Sequence, residues 1–441
     1  MNKGFIFNHN KCVACGACNA ACILENGWTV HPREIYTYNK DVSVSLPLIN
    51  LSLACNHCEK PVCLECCPTG TYFREPQTGA IVIDDKKCIG CKYCQWNCPY
   101  DAPKFDAKKR IIGKCNLCYS GLLDGRLPAC TDACPTGALS YGELTGIDTE
   151  NKFPWFPDKG LNPSIEFSGE HNTVIIPLKI IPENMFVNQM PVKTEKPSSE
   201  TREWSLVAFS FLATLSVSYV ISSLINGVFP NFIFIVLINI LTGMVSLFHL
   251  GRALRAWRAL SNLKSSPLSR EIALFLIYAA VSILAVITEL PAVLVVASIV
   301  GLLLLIVIDS VYINSDKRKS VIFHSGQTFL SSLLIASFFS GAVIPFIFIA
   351  LIKVVSSIHK IYFTKETGNN FGLRYFRLAI LVVMGIRIIS AGYSFDPVII
   401  ALFLAGELID RIIFYSDFEP MNLNTFIYKH IKTVKDEKKR G

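Results

Sequence analysis

Beyond Cys134 this chain of 441 residues has no cysteine at all; its 17 cysteines lie between Cys12 and Cys134. The opening residues, MNKGFIFNHNKC, carry no apolar h-region and no twin-arginine pair, so neither type of export signal is expected. Histidine is scarce from Trp204 onward. Only His249, His324, His359 and His430 occur there, each at the end of an apolar run or beyond it. A haem b needs histidines within such runs, usually a pair, so no haem is expected. Nothing resembles a nucleic-acid module, so no nucleic-acid partner is expected, and the net charge of +8 has another explanation below.

What is present is a repeat. Lys87 to Pro99 reads KCIGCKYCQWNCP, or Cys88-x2-Cys91-x2-Cys94-x3-Cys98-Pro99, the bacterial ferredoxin spacing for a [4Fe–4S] cluster. Three thiolates on one tight loop cover three irons of a cube. The fourth cysteine reaches the other cluster of a pair. Similar groups are Cys12-x2-Cys15-x2-Cys18-x3-Cys22, Cys55-x2-Cys58-x4-Cys63-x3-Cys67-Pro68 and Cys115-x2-Cys118-x11-Cys130-x3-Cys134-Pro135. Sixteen cysteines fill sixteen ligand positions, which predicts four [4Fe–4S] clusters in two ferredoxin-like modules. Zinc would want two CxxC knuckles set well apart and does not call for Cys-Pro after a spacer of three. A disulfide framework would suit a secreted chain, but the spacing is that of cluster ligands.

Cys66 is left over in CLECCP. Cys67 precedes the proline, as Cys98 and Cys134 do, and is taken as the ligand; Cys66 is then a small buried hydrophobe. Strand-like runs separate the groups, such as Ala80 to Asp84 before Cys88. Basic residues cluster nearby: Lys86, Lys87, Lys92, Lys104, Lys108, Lys109, Arg110 and Lys114. They are either a solvated surface or positive charge that raises cluster potential or docks an acidic partner.

The expected fold class is an α+β ferredoxin-like iron–sulfur domain with two double-cluster modules over 1–182, fused to an all-α polytopic membrane domain of eight helices over 204–415. A linker over 183–203 and a basic tail over 416–441 complete the chain, and Asn172 to Pro177 is expected as a strand closing the first domain. Eight apolar runs, at about 204–225, 229–250, 271–289, 291–313, 321–339, 342–363, 374–393 and 396–415, are each long enough to cross ~30 Å of hydrocarbon. Even-numbered connections hold Arg252, Arg255, Arg258, Lys264, Arg270, Lys317, Arg318, Lys319, Lys360, Lys365, Arg374 and Arg377; the opposite ones hold no Lys or Arg. The positive-inside rule therefore expects a multi-pass protein of the inner membrane with its clusters on the cytoplasmic side.

The stretches NHCEKPVC, CIGCKYCQWNCPYDAPKF, KCNLC and ACTDACPTGAL resemble the iron–sulfur subunit of the dimethyl sulfoxide reductase family over about residues 3–182. HLGRALRAWRALSNLKSSPLSREI, from His249, and AGELIDRIIFY resemble the anchor subunit of the same family. The chain thus looks like a fusion of the two, without the catalytic subunit. The resemblance implies that the first group pairs with the fourth and the second with the third. One cluster would take Cys12, Cys15, Cys18 and Cys134, and another Cys115, Cys118, Cys130 and Cys22. The others would take Cys55, Cys58, Cys63 and Cys98, and Cys88, Cys91, Cys94 and Cys67. It further implies a molybdopterin-containing catalytic subunit as partner, besides membrane lipid and the quinone pool. On sidedness it points to the alternative, since the best-known relatives export catalytic and iron–sulfur subunits together.

Quinol oxidation needs titratable or hydrogen-bonding groups at the membrane edge. His249 closes the second apolar run and Glu271 opens the third, both on the cluster side, and they are the catalytic candidates. The bland readings are a helix cap and an acid favoured at a helix N-terminus; the resemblance implies a role in quinol binding for both positions. Glu407 and Arg411 are expected to form an i,i+4 pair, and Arg387 is a weaker site candidate. Asp309, Arg387 and Glu407 read as isolated charges, which argues against an ion translocator. The expected function is a relay of electrons from menaquinol through the clusters to a subunit reducing an S- or N-oxide in anaerobic respiration. Alternatives are the same relay reversed, or a redox-driven ion translocator.

Overall fold

The computed structural model of the chain describes residues 3–38, 49–145, 156, 160–168, 204–313, 327–363, 371–391, 396–418 and 423. The chain divides into two compact units: Met1–Ser199 with Pro420–Gly441, and Glu200–Glu419.

In the first unit, strand β1 (Lys3–Asn8) is the centre of a three-stranded sheet. It pairs antiparallel with β8 (Leu139–Glu143) and parallel with β9 (Ile165–Ser168). Alternation along KGFIFN turns Phe5 and Phe7 inward. They meet Tyr141 and Phe167 edge-on, with ring centroids 6.1 and 6.4 Å apart, and burying each ring stabilises the fold by about 1.5–3 kcal/mol. Leu423 packs into this same core. Three hairpins complete the strands: β2 (Glu34–Tyr38) with β3 (Ile49–Leu53), β4 (Tyr72–Arg74) with β5 (Ile81–Ile83), and β6 (Lys104–Asp106) with β7 (Ile111–Gly113). Short helices lie between them: α1 (Ala17–Asn26), α2 (Val62–Cys66), α3 (Tyr93–Asn97), α4 (Tyr119–Leu123) and α5 (Ala129–Asp132). The order helix-then-hairpin occurs three times among the described residues, α1 before β2–β3, α2 before β4–β5 and α3 before β6–β7, and α2 packs on α3 while α1 packs on α5. The run Ala80 to Asp84 is β5; the strand expected at Asn172 to Pro177 and the linker at 183–203 lie outside the described residues, as does most of the tail.

The second unit is helical: α6 (Trp204–Ile225), α7 (Phe232–Leu247), a 3-10 helix (Ala253–Asn262), α8 (Pro267–Thr288), α9 (Pro291–Ile313), α10 (Gln327–Phe339), α11 (Val343–Phe363), α12 (Phe371–Ala391) and α13 (Pro397–Asp417). Three of these, α6, α8 and α9, are long and apolar enough to cross a membrane. Helices α7 and α10 are apolar but only 16 and 13 residues long. Charged residues interrupt α12 and α13, at Arg377, Glu407, Asp410 and Arg411 among others. Helix α6 is the hub, packing on α7, α9 and α10. At Gly301 a Cβ would sit 2.9 Å from Val217 and 3.0 Å from Tyr278, so glycine is what lets α9 approach α6.

The start of α8 differs from expectation. Ser266 is the N-cap, its hydroxyl accepting from Ser269 N at 3.4 Å, and Pro267 holds the first helical position. Glu271 therefore lies in the second turn, not at the opening of the helix, and the N-terminal-acid explanation of it weakens. The Ser-Pro pair inside SSPLSREI was the overlooked start signal. The 3-10 helix was not anticipated either. Its period of three is visible in ALRAWRALSNL: Ala253, Ala256 and Ala259 share one row, Arg252, Arg255 and Arg258 a second, and Leu254, Trp257, Leu260 and Leu263 a third. Ala259 is fully buried, whereas Leu254 is 97% and Trp257 68% exposed.

Candidate cluster and quinol sites

The four cysteine groups share a backbone device. The residue two places after the first cysteine of each is left-handed: Ala14 at φ 55°, His57 at 44°, Gly90 at 69° and Leu117 at 64°. Each turns its N–H onto that cysteine's sulfur, with His57 N 3.5 Å from Cys55 Sγ and Leu117 N 3.4 Å from Cys115 Sγ. Only one of the four is glycine. A non-glycine residue in this region costs about 1–3 kcal/mol, so three costly turns are held in place by what surrounds them.

Thiols of different groups come together in space. The Cys12 thiol has Cys18, Cys134 and Cys15 as electrostatic neighbours. Cys22 faces Cys130, Cys118 and Cys18, and Cys115 faces Cys22, Cys55 and Cys130. Cys58 and Cys63 both face Cys55 and Cys98. Cys91 and Cys94 face Cys67 and Cys88, and one cavity is lined by Cys67, Cys88, Cys91 and Cys94 together with Thr71, Tyr72 and Ile112. The four cysteines spread around that one cavity fit a larger, multi-iron group.

Electrostatics favour the same group. Burial pushes the Cys22 and Cys98 thiols up to about 12, and Cys58, Cys63, Cys91, Cys94 and Cys115 upward as well, with neighbouring thiols adding to the effect. Bare thiolates are thus disfavoured here, and a bound cationic core is what holds ligands deprotonated. Cys134 differs: burial alone would raise it, but N–H donors at Leu139 and Ala138 and the Thr136 hydroxyl outweigh burial and lower it. Cys66 is buried, donates to Cys63 O at 3.8 Å, and is pushed well up by burial and by Cys94, Cys63 and Cys67.

Two buried cations complete the site. Lys114, 2% exposed, donates to Ile81 O, to Cys115 O at 2.7 Å and to Cys55 Sγ at 3.4 Å. Burial would lower it, but Cys55, Cys63 and Cys115 outweigh that and raise it. Of the eight basic residues noted in the sequence it is the buried one; Lys86, Lys87, Lys108, Lys109 and Arg110 are exposed. Arg33 carried no recognisable signal. It lies 2% exposed, donates to Ser52 O and Oγ at 3.2 Å, stands 4.7 Å over the Phe5 ring, and is raised against the cost of burial by Cys130, Cys115, Cys18 and Cys22.

In the helical unit, His249 is half-buried in the turn that follows α7, and Glu271 is buried on α8. Glu271 lies within electrostatic reach of Asp309 on α9 and of Tyr415 on α13. The charges read as isolated are not: Asp309 pairs with Arg411 at 3.4 Å, and Glu407 pairs with Lys353 of α11. The partners of Glu407 and Arg411 therefore lie on other helices. Helix packing replaced the expected i,i+4 contact because interhelical partners remove the charges from hydrocarbon. Arg387 is exposed, and among the described histidines of this unit His359 is exposed too; His324 and His430 lie outside the described residues.

Residues 47–144 match the 4Fe-4S dicluster domain family, and residues 199–366 match the DMSO reductase anchor subunit family. Over 158 residues, 33% of its length, the chain is 36% identical to an anaerobic dimethyl sulfoxide reductase chain of Haemophilus influenzae, covering 77% of that protein. It is 29% identical over 232 residues to a sulfite dehydrogenase subunit of Allochromatium vinosum, covering 46% of this chain and 95% of the relative. It is also 29% identical over 184 residues to a tetrathionate reductase subunit of Salmonella typhimurium, with 38% and 72% covered.

Proposed function

The chain belongs to the dimethyl sulfoxide reductase family, as an iron–sulfur subunit joined to a membrane anchor, and from that premise we propose that it carries electrons from menaquinol to a molybdopterin-containing catalytic subunit. Its four thiol quartets hold four [4Fe–4S] clusters, which supply one-electron transfer when bound. The observation that carries this is the fourfold recurrence of the left-handed turn with its N–H aimed at sulfur. Those donors stabilise thiolate, the apolar shell excludes water, and Lys114 and Arg33 place positive charge beside the sulfurs, favouring the reduced state.

The quartets take the exchanged pairing: Cys12, Cys15, Cys18 with Cys134; Cys115, Cys118, Cys130 with Cys22; Cys55, Cys58, Cys63 with Cys98; Cys88, Cys91, Cys94 with Cys67. Glu271, with His249, receives the protons of the quinol. All eight helices of the second unit lie in the inner membrane, α12 and α13 included, with 183–203 as the tether and the basic connections on the cytoplasmic face. The exposed row Leu254, Trp257, Leu260 and Leu263 beside Arg252, Arg255 and Arg258 suits the boundary between lipid tails and headgroups.

A second reading runs the relay backwards, with quinone reduced. The similarity to a sulfite dehydrogenase subunit favours it. Purification from native membranes in mild detergent, with metal analysis, tests the main reading. About sixteen irons per chain, arriving with molybdenum and a large pterin-binding polypeptide, supports it. Iron with other membrane subunits and no pterin protein rejects it.

A further inference from the structure

Strand β5 belongs to a two-stranded sheet, so among the described residues its outer edge has no partner strand. At Ile81, which is fully buried, two side chains supply what a third strand would. Ile81 N donates to His57 Nδ1 at 2.9 Å, and Ile81 O accepts from Lys114 Nζ. His57 is itself the left-handed residue of the second cysteine group, with its own N–H on Cys55 Sγ. Because Nδ1 accepts, the ring proton sits on Nε2 and the imidazole is neutral. Nε2 is buried without a partner. The imidazole therefore brings no charge to the site, and its one side-chain hydrogen bond holds the Ile81 peptide.

Lys114 stands where two groups meet. Its ammonium has three N–H donors, and three acceptors take them: Ile81 O, Cys55 Sγ at 3.4 Å and Cys115 O at 2.7 Å. Cys55 opens the second group and Cys115 the fourth, and these two thiols are electrostatic neighbours. Arg33, the other cation buried in this unit, faces Cys130, Cys115, Cys18 and Cys22, which belong to the first and fourth groups. Lys114 is thus the buried cation in contact with both the second group and the fourth. A point charge on a flexible four-carbon stem keeps such a place only while its acceptors are fixed. The cysteine loops fix two of them, and His57 fixes the third. Away from water the field of that charge falls slowly with distance, so it reaches clusters on both sides.

We propose that His57 is a positioning residue: through the Ile81 peptide it holds Lys114 between the second and fourth cysteine groups, so that one ammonium sets the reduction potentials of two clusters together. The proposal rests on the cluster reading above. The same positive charge attracts an added electron at either cluster. Both are made easier to reduce, and the step between them stays close to level. Releasing Lys114 lowers both potentials at once.

An EPR-monitored redox titration of the full chain, purified in detergent with its clusters, tests this. Iron analysis of the wild type comes first: about sixteen irons uphold the cluster reading, and zinc in their place overturns that reading and the proposal with it. The variants then bear on the proposal alone. His57→Leu places in the turn the residue type that Leu117 already provides in the fourth group, so the left-handed backbone is kept. It should lower two of the four midpoint potentials, each by about threefold in the one-electron equilibrium or about 28 mV, and leave the other two. His57→Asn, whose Oδ1 can accept from Ile81 N and which tolerates a left-handed backbone, should restore both. In a Lys114→Met background His57→Leu should add no shift, since its effect runs through the ammonium. A shift at one cluster only, at all four or at none overturns the proposal. So does an Asn variant that behaves like the Leu variant, or a shift that adds to that of Lys114→Met, which would mean that the imidazole acts on sulfur itself. Should His57→Leu fail to retain iron, Lys114→Met decides alone: two midpoints falling together support the proposal, and a single one overturns it.

Discussion

Both units bury cations, and they neutralise them by opposite means. In the first unit Lys114 and Arg33 face sulfur atoms and backbone carbonyls. In the second, Lys353, Arg377 and Arg411 face carboxylates carried by neighbouring helices. The first arrangement has a counter-charge only when thiolates are present, and thiolates persist there only with bound metal. The second is complete within the polypeptide. The iron–sulfur unit is therefore expected to depend on its cofactor for integrity, and the helical unit is not.

Removing iron from the full chain with a chelator under reducing conditions should break this contrast most visibly. Metal-dependent small domains lose their fold with their metal. Limited proteolysis should then degrade the chain up to about Trp204 while the helical unit survives; a first unit that stays protected would contradict the contrast. Lys353→Ala attacks the other side. It leaves Glu407 buried without its cation, while Asp410 keeps Arg377, and one partner lost from a buried pair costs about 3–5 kcal/mol. The thermal midpoint of the helical unit in detergent should fall, with the iron content unchanged.

Lys114→Met sharpens the comparison more gently. It removes positive charge next to Cys55 and Cys115, so reduction becomes harder. A tenfold change in the one-electron equilibrium is about 59 mV, and a downward shift of about that size in an EPR-monitored titration is expected, with no shift for exposed Lys108→Met. The smallest effect is at the start of α8. Ser266→Ala deletes the N-cap and should cost about 1 kcal/mol, moving the denaturation midpoint of the helical unit and leaving cluster spectra untouched.

Much of the first unit was legible because its ligands are fixed by chain spacing. A cysteine loop must follow a cube's geometry, and that constraint is local. The left-handed turns were not legible: Ala14, His57 and Leu117 do not announce φ values that glycine takes more readily. Nor was the burial of Lys114, since its neighbours in sequence, Lys108 and Lys109, are exposed. In the second unit the apolar runs foretold helices, but charge partners could not be read. Lys353 looked like one polar residue in VIPFIFIALIKVVSSIHKIYF, and its partners Glu407 and Asp410 lie on another helix altogether.

The sequence by itself determined the family, the cluster chemistry and the helical character of the second half, because spacing and hydropathy are properties of neighbouring residues. Tertiary structure alone decided which cations lie buried beside the thiols, and that Asp309 pairs with Arg411 and Glu407 with Lys353. Those relations join residues far apart in the chain, and burial is what makes each of them matter, since a charge out of water must find its counter-charge in whatever folds against it.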